Sequence, residues 1–175
     1  MLGEKQVSWV TVDFAPPCEV VCDFNRPRVE LPFPDATFDL AICTEVLEHL
    51  LWPQALLAET RRVLAPKGVL IVSVPNITSL TYRLAWLLGR IPSCAAGGNL
   101  PRELGHTSYK VREGQYLGGH VIDFNKRRIV RLLQSCGFRL VRVTGAGIFW
   151  HWQILPWWLV PANLSSVILC SARKG

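Results

Sequence analysis

The chain has 175 residues, half of them apolar, enough to bury one sizeable core and too hydrophobic for a disordered polymer. Cys18, Cys22, Cys43, Cys94, Cys136 and Cys170 are scattered without a Cys-x-x-Cys pair, which argues for reduced thiols rather than a zinc or disulfide framework. The net charge of +6 is unevenly divided: residues 1–60 carry ten acids and three bases, and residues 61–175 carry three acids and sixteen bases. An acidic first part suits a cationic ligand. A basic remainder suits an anionic substrate, a nucleic acid or an anionic membrane surface, or is simply a solvated face. The N-terminus lacks an apolar leader, so a cytoplasmic location is expected.

In chain order, Trp9 to Asp13 reads as a short strand ending in an acid before Ala15-Pro16-Pro17. Glu19 to Phe24 reads as the next strand, with only a brief connection between the two. Pro32, Pro34 and Asp35 then punctuate the chain ahead of Phe38 to Cys43, an apolar run of the kind that a sheet covered on both faces requires. Pro53 suits a first helical turn, and Leu56, Leu57, Thr60, Val63 and Leu64 follow at helical spacing until Pro66-Lys67-Gly68 stop the helix. Val69 to Val74 is a second buried strand, closing at Pro75-Asn76. Strand, helix and strand of these lengths make a right-handed βαβ unit, so the fold class is α/β.

Beyond it, Thr78 to Gly89 has helical spacing, whereas Ser93 to Gly119 is a long Gly- and Pro-rich loop. Asn125 caps a helix over Lys126 to Cys136, stopped by Gly137. Its other face carries Lys126, Arg127, Arg128 and Arg131, but no aromatic residues interleave with them, and nucleic acid ranks low as a partner. Ile148 to Pro161 holds four of the seven tryptophans and no charge. It is too short and proline-broken to span a bilayer, and reads either as a shallow membrane contact or as a packed connector. Ser166 to Ala172 supplies a last strand.

Three pieces, LPFPD, TFDLAICTEVLEHL and LAETRRVLAPKGVLIVSVPN, follow one another in an order and spacing that resemble the second half of a class I S-adenosylmethionine-dependent methyltransferase of the small-molecule branch. The resemblance extends to W-V-T-V-D at one end and to GGHVIDFNKRRIVRLLQSCGF and RLVRVTG at the other. It implies a Rossmann-like sheet, mostly parallel with an antiparallel last strand, and S-adenosylmethionine as cofactor. Asp13 would accept from the ribose hydroxyls and Asp23 from the adenine amino group, with Phe14 and Phe24 beside them. Asp13 is otherwise a turn acid. Thr44 and Glu45, just past the Phe38 strand, would be the third cofactor contact.

His49 and His120 are the candidate catalytic residues, as general bases or orienters of an acceptor hydroxyl, although His49 could equally brace a helix start. The resemblance also makes residues 77–119 an insertion that covers the substrate, with His106, Tyr109 and Tyr116 as further contacts. No metal is expected. The family's first strand and glycine-rich turn have no counterpart, so the expectation is a single, N-terminally truncated domain over residues 1–175, or direct pairing of the family's second and fourth strands. Methyl transfer to a small-molecule or lipid-linked acceptor follows as the expected function. Its rivals are a non-catalytic remnant or binding module, and a basic membrane-surface adaptor.

Overall fold

The computed structural model describes residues 7–89, 120–147 and 161–175. Strands β1 (Val12–Asp13), β2 (Val20–Val21) and β3 (Phe38–Thr44) come first, and a single 3-10 turn at Leu47–His49 leads to helix α1 (Pro53–Val63). Strand β4 (Leu64–Pro75) and helix α2 (Leu80–Leu87) follow, then helix α3 (Lys126–Ser135) and strands β5 (Phe138–Ala146) and β6 (Val167–Lys174). The main sheet has the order β3-β4-β6-β5, with β3 parallel to β4 and β6 antiparallel to both neighbours. The α/β class and the antiparallel last strand are therefore as the sequence implies.

Local chemistry explains the elements. Pro53 opens α1, and Leu56, Leu57, Thr60 and Val63 bury one stripe of it. The helix ends at Val63, and the register of β3 on β4 jumps from Phe38↔Leu64 to Leu40↔Val69, so Ala65 to Gly68 bulge out of the ladder. Lys67, at φ 66°, takes the left-handed turn of that bulge. Asn125 caps α3 by accepting from the Arg128 N–H at 2.9 Å, and Gly137 leaves the helix at φ 80°. The core lies where α1 and α3 meet the sheet: Leu57, Leu70, Val72, Val74, Phe124, Ile129, Leu133, Ile168 and Cys170 are all buried.

Two expectations fail. The Phe38–Cys43 run is not covered on both faces, for β3 is an edge strand among the described residues, and Leu40 and Ile42 are 48% and 65% exposed. Nor do the family's second and fourth strands pair. Among the described residues β1 and β2 pair only with each other, as a separate two-stranded parallel sheet, and the outer ladder of β3 is open.

The LPFPD segment is locked onto α1 by Glu59 and Arg62. Glu59 accepts from the Leu31 N–H at 2.7 Å and takes a two-pronged bond from Arg62 at 2.7 and 2.9 Å, while Arg62 also reaches Asp35 and the Leu31 carbonyl. At the other end of the βαβ unit, buried Asn76 donates to the Ser165 and Ala162 carbonyls at 2.8 and 3.3 Å and accepts from the Thr78 N–H and hydroxyl. It thereby welds the end of β4 to the entrance of β6.

Asn76→Ala should cost about 3 kcal/mol, because it removes the side-chain donor to the Ser165 carbonyl and the acceptor of the Thr78 N–H; chemical denaturation will measure it. Glu59→Gln should lower stability at neutral pH by about 2 kcal/mol. The Arg62 guanidinium holds the Glu59 carboxyl below its ordinary 4.5, so its contribution is present above that value and is lost as pH falls through the depressed one. Melting curves of wild type and Glu59→Gln should therefore converge in acid.

Candidate functional site

Parallel pairing brings the carboxyl ends of neighbouring strands together, and the loops that leave them are where such sheets place ligands. β1 and β2 pair as Val12↔Val20 and Asp13↔Val21, and the Cys22 N–H donates to the Asp13 carbonyl at 2.8 Å. Asp13 and Asp23 thus leave adjacent strands at the same end. Asp13 is exposed, and its Oδ1 accepts from the Phe14 N–H at 2.6 Å. Phe14 is 45% exposed, a ring with an open face.

Asp23 is engaged by its own loop. Its Oδ1 accepts from the Asn25 N–H and its Oδ2 from Arg26 Nε, both at 2.9 Å, and Arg26 followed by Asn25 holds the carboxyl below its usual range. Arg26 went unnoticed in the sequence, although an acid and a base three residues apart are a readable signal. Phe24 is partly buried against the core rather than displayed. Asn25 Oδ1 accepts from the Leu51 N–H at 2.9 Å, which ties the loop after β2 to the chain just beyond the 3-10 turn.

At the carboxyl end of β3, Thr44 is exposed and pairs in register with Ser73. Glu45 follows in the left-handed region at φ 53°, a conformation that disfavours a side chain and marks a sharp exit from the strand. That turn aims its N–H at the Ser73 carbonyl, 3.1 Å away, and its carboxylate at the Ser73 hydroxyl, 2.7 Å away. Burial pushes the Glu45 carboxyl up, against the opposing bond from Ser73.

Next comes Glu48, which is buried; loss of hydration pushes its carboxyl up to about 8. Its backbone carbonyl accepts from the N–H groups of Val121 and Ile122 at 2.7 and 3.1 Å. That clamp draws in the chain ahead of α3 and sets His120 against His49, ring centres 5.0 Å apart and edge to face. Burial, then the nearby His49, lowers the His120 imidazole below its ordinary value. The two histidines singled out in the sequence therefore do meet. His106, Tyr109, Tyr116 and the Ile148–Pro161 segment lie outside the described residues. Glu48 is the member that sequence reasoning passed over, since nothing in its spacing marks it as buried.

Residues 5–72 match the family model described as "Methyltransferase domain". A crystal structure of an S-adenosylmethionine-dependent methyltransferase from Thermotoga maritima, described as a possible histamine N-methyltransferase, superposes with a TM-score of 0.53 at 16% identity, covering 83% of this chain and 60% of that one. This is the fold of the class I S-adenosylmethionine-dependent methyltransferases. A probable S-adenosylmethionine-dependent methyltransferase of Mycolicibacterium smegmatis is 52% identical over 48 residues, which are 27% of this chain and 18% of that protein. An uncharacterised protein of Methanocaldococcus jannaschii is 54% identical over 52 residues, 30% of this chain and 23% of its own length. The matched stretch thus spans about a fifth of the length of these curated relatives.

Within the methyltransferase fold, the residues present fit the adenosine half of the cofactor. Asp13 offers an exposed carboxylate with Phe14 beside it at a strand's carboxyl end, and the Asp23 loop is held next to the turn that follows β3. Among the described residues no glycine-rich turn stands ready for the methionine half. No helix of the described residues is long and apolar enough to cross a membrane.

Proposed function

We propose that the chain serves S-adenosylmethionine-dependent methyl transfer to a small-molecule or lipid-linked acceptor. The observation that supports this reading is that Asp13 and Asp23 leave the β1–β2 pair at one end, while Thr44-Glu45 leave β3 at its own carboxyl end. When bound, S-adenosylmethionine supplies an electrophilic methyl group, and the protein's task is to align an acceptor with it. Asp13 has acceptor capacity for a pair of ribose hydroxyls, because Oδ1 is committed only to the Phe14 N–H. Asp23 keeps lone pairs for an adenine amino group while Arg26 and Asn25 fix its direction. The exposed Phe14 ring can lie against the base.

His120 and His49, packed edge to face, are the side chains proposed to orient an acceptor hydroxyl. A lipid-linked acceptor is favoured by the basic charge of residues 61–175 and by the four tryptophans between Ile148 and Pro161, which suit a membrane–water interface. A second reading, a binding module that keeps the sheet without turnover, is favoured by the outer edge of β3, open among the described residues.

Calorimetric titration with S-adenosylmethionine and S-adenosylhomocysteine separates the two. Methyl transfer predicts micromolar binding that Asp13→Ala weakens at least tenfold, the loss of one or more charge-assisted hydrogen bonds. A chain that is folded by circular dichroism and binds neither compound would leave the binding-module reading in possession.

A further inference from the structure

Both carboxylate oxygens of Glu48 are buried and without a hydrogen-bond partner, and they are the one such pair among the described residues. The side chain is 1% exposed. A carboxylate taken out of water loses its hydration, so folded proteins hold such groups with hydrogen bonds or with a cation. The titratable groups around this one are the His49 and His120 imidazoles and the Glu45 carboxyl. His49 Nε2 stands 3.9 Å from Glu48 Oε1, beyond hydrogen-bond range, and the His120 ring packs edge-on to His49. One donor atom from each of the three residues lies within 4.8 Å of the other two.

We infer that Glu48, His49 and His120 are the protein ligands of a divalent transition-metal ion of the zinc class. One carboxylate and two imidazoles are a donor set that zinc accepts, whereas magnesium and calcium favour oxygen-only shells. Three protein ligands leave a fourth position for water or for an oxygen of a bound molecule. Metal–ligand bonds of about 2.0–2.2 Å place tetrahedral donors roughly 3.4 Å apart, so an ion would draw together donors that already lie within 4.8 Å. The backbone is already set, because Val121 and Ile122 donate to the Glu48 carbonyl and fix the approach of His120 to the 3-10 turn. Spacing in the sequence conceals such a site: His49 and His120 are 71 residues apart, and no short motif joins them. The inference does not rest on the methyl-transfer reading, since metal binding is measured with neither cofactor nor acceptor present.

The test is titration of the chelator-stripped 175-residue chain with zinc by calorimetry, and with cobalt(II) by absorption spectroscopy. One equivalent should bind with micromolar or tighter affinity and raise the melting temperature. The cobalt spectrum should show d–d bands without a thiolate charge-transfer band. Glu48→Gln, which keeps the shape of the side chain and removes its ability to ligate as a carboxylate, should weaken zinc binding at least tenfold. His120→Ala should weaken it similarly, and excess magnesium should not compete. Absence of stoichiometric zinc binding by the folded chain overturns the inference. So does binding that Glu48→Gln leaves unchanged, or a thiolate band, which would assign the metal to cysteines.

Discussion

Every part of the main sheet depends on β4. It is the strand that pairs with both a parallel and an antiparallel neighbour, and Leu70, Val72 and Val74 bury its inner face completely. A strand so enclosed has no tolerance for slippage, because a shift of one residue would exchange its buried set for its other face. Its register therefore sets where β3 ends, and the end of β3 sets where Thr44, Glu45 and the 3-10 turn are displayed. Ser73, on β4, makes this link direct by bonding both the backbone and the side chain of Glu45.

The same enclosure explains why polar groups cluster at one end of the sheet and are treated so differently there. Asn76 is fully buried but spends its side-chain amide on carbonyls and its oxygen on Thr78, so it stabilises the junction it occupies. Glu48 is equally buried and has none of these partners. A fold that satisfies one buried polar side chain this thoroughly and leaves another unpaired a short distance along the chain is carrying a local cost, and such costs concentrate where ligands bind.

The smaller sheet is organised on another principle. β1 and β2 are only two residues long each, too short to gain much from their own ladder. They are held instead through side chains: Glu19 accepts from the Thr11 N–H, Asn25 from Leu51, and Cys22 and Phe24 rest on the core. Its acids are exposed, and among the described residues its edge is unshared with β3, whose Leu40 and Ile42 are exposed.

Much of this was legible in the amino-acid order alone. Proline at the start of α1, asparagine before α3, the glycine after it and the β-branched run of β4 are short-range signals whose chemistry acts within a turn or two, and each produced the expected element. The acids at the ends of β1 and β2 were likewise visible, since a carboxylate after a short apolar run needs no knowledge of distant residues. What sequence could not supply was anything decided by contacts across the chain. The edge position of β3 among the described residues depends on which strand lies beside it, and the meeting of His120 with His49 on two amide bonds to the Glu48 carbonyl. Burial of Glu48 belongs to the same class. Its identity is local, but its solvation is set by elements far away in sequence, and only the packed tertiary structure determines that.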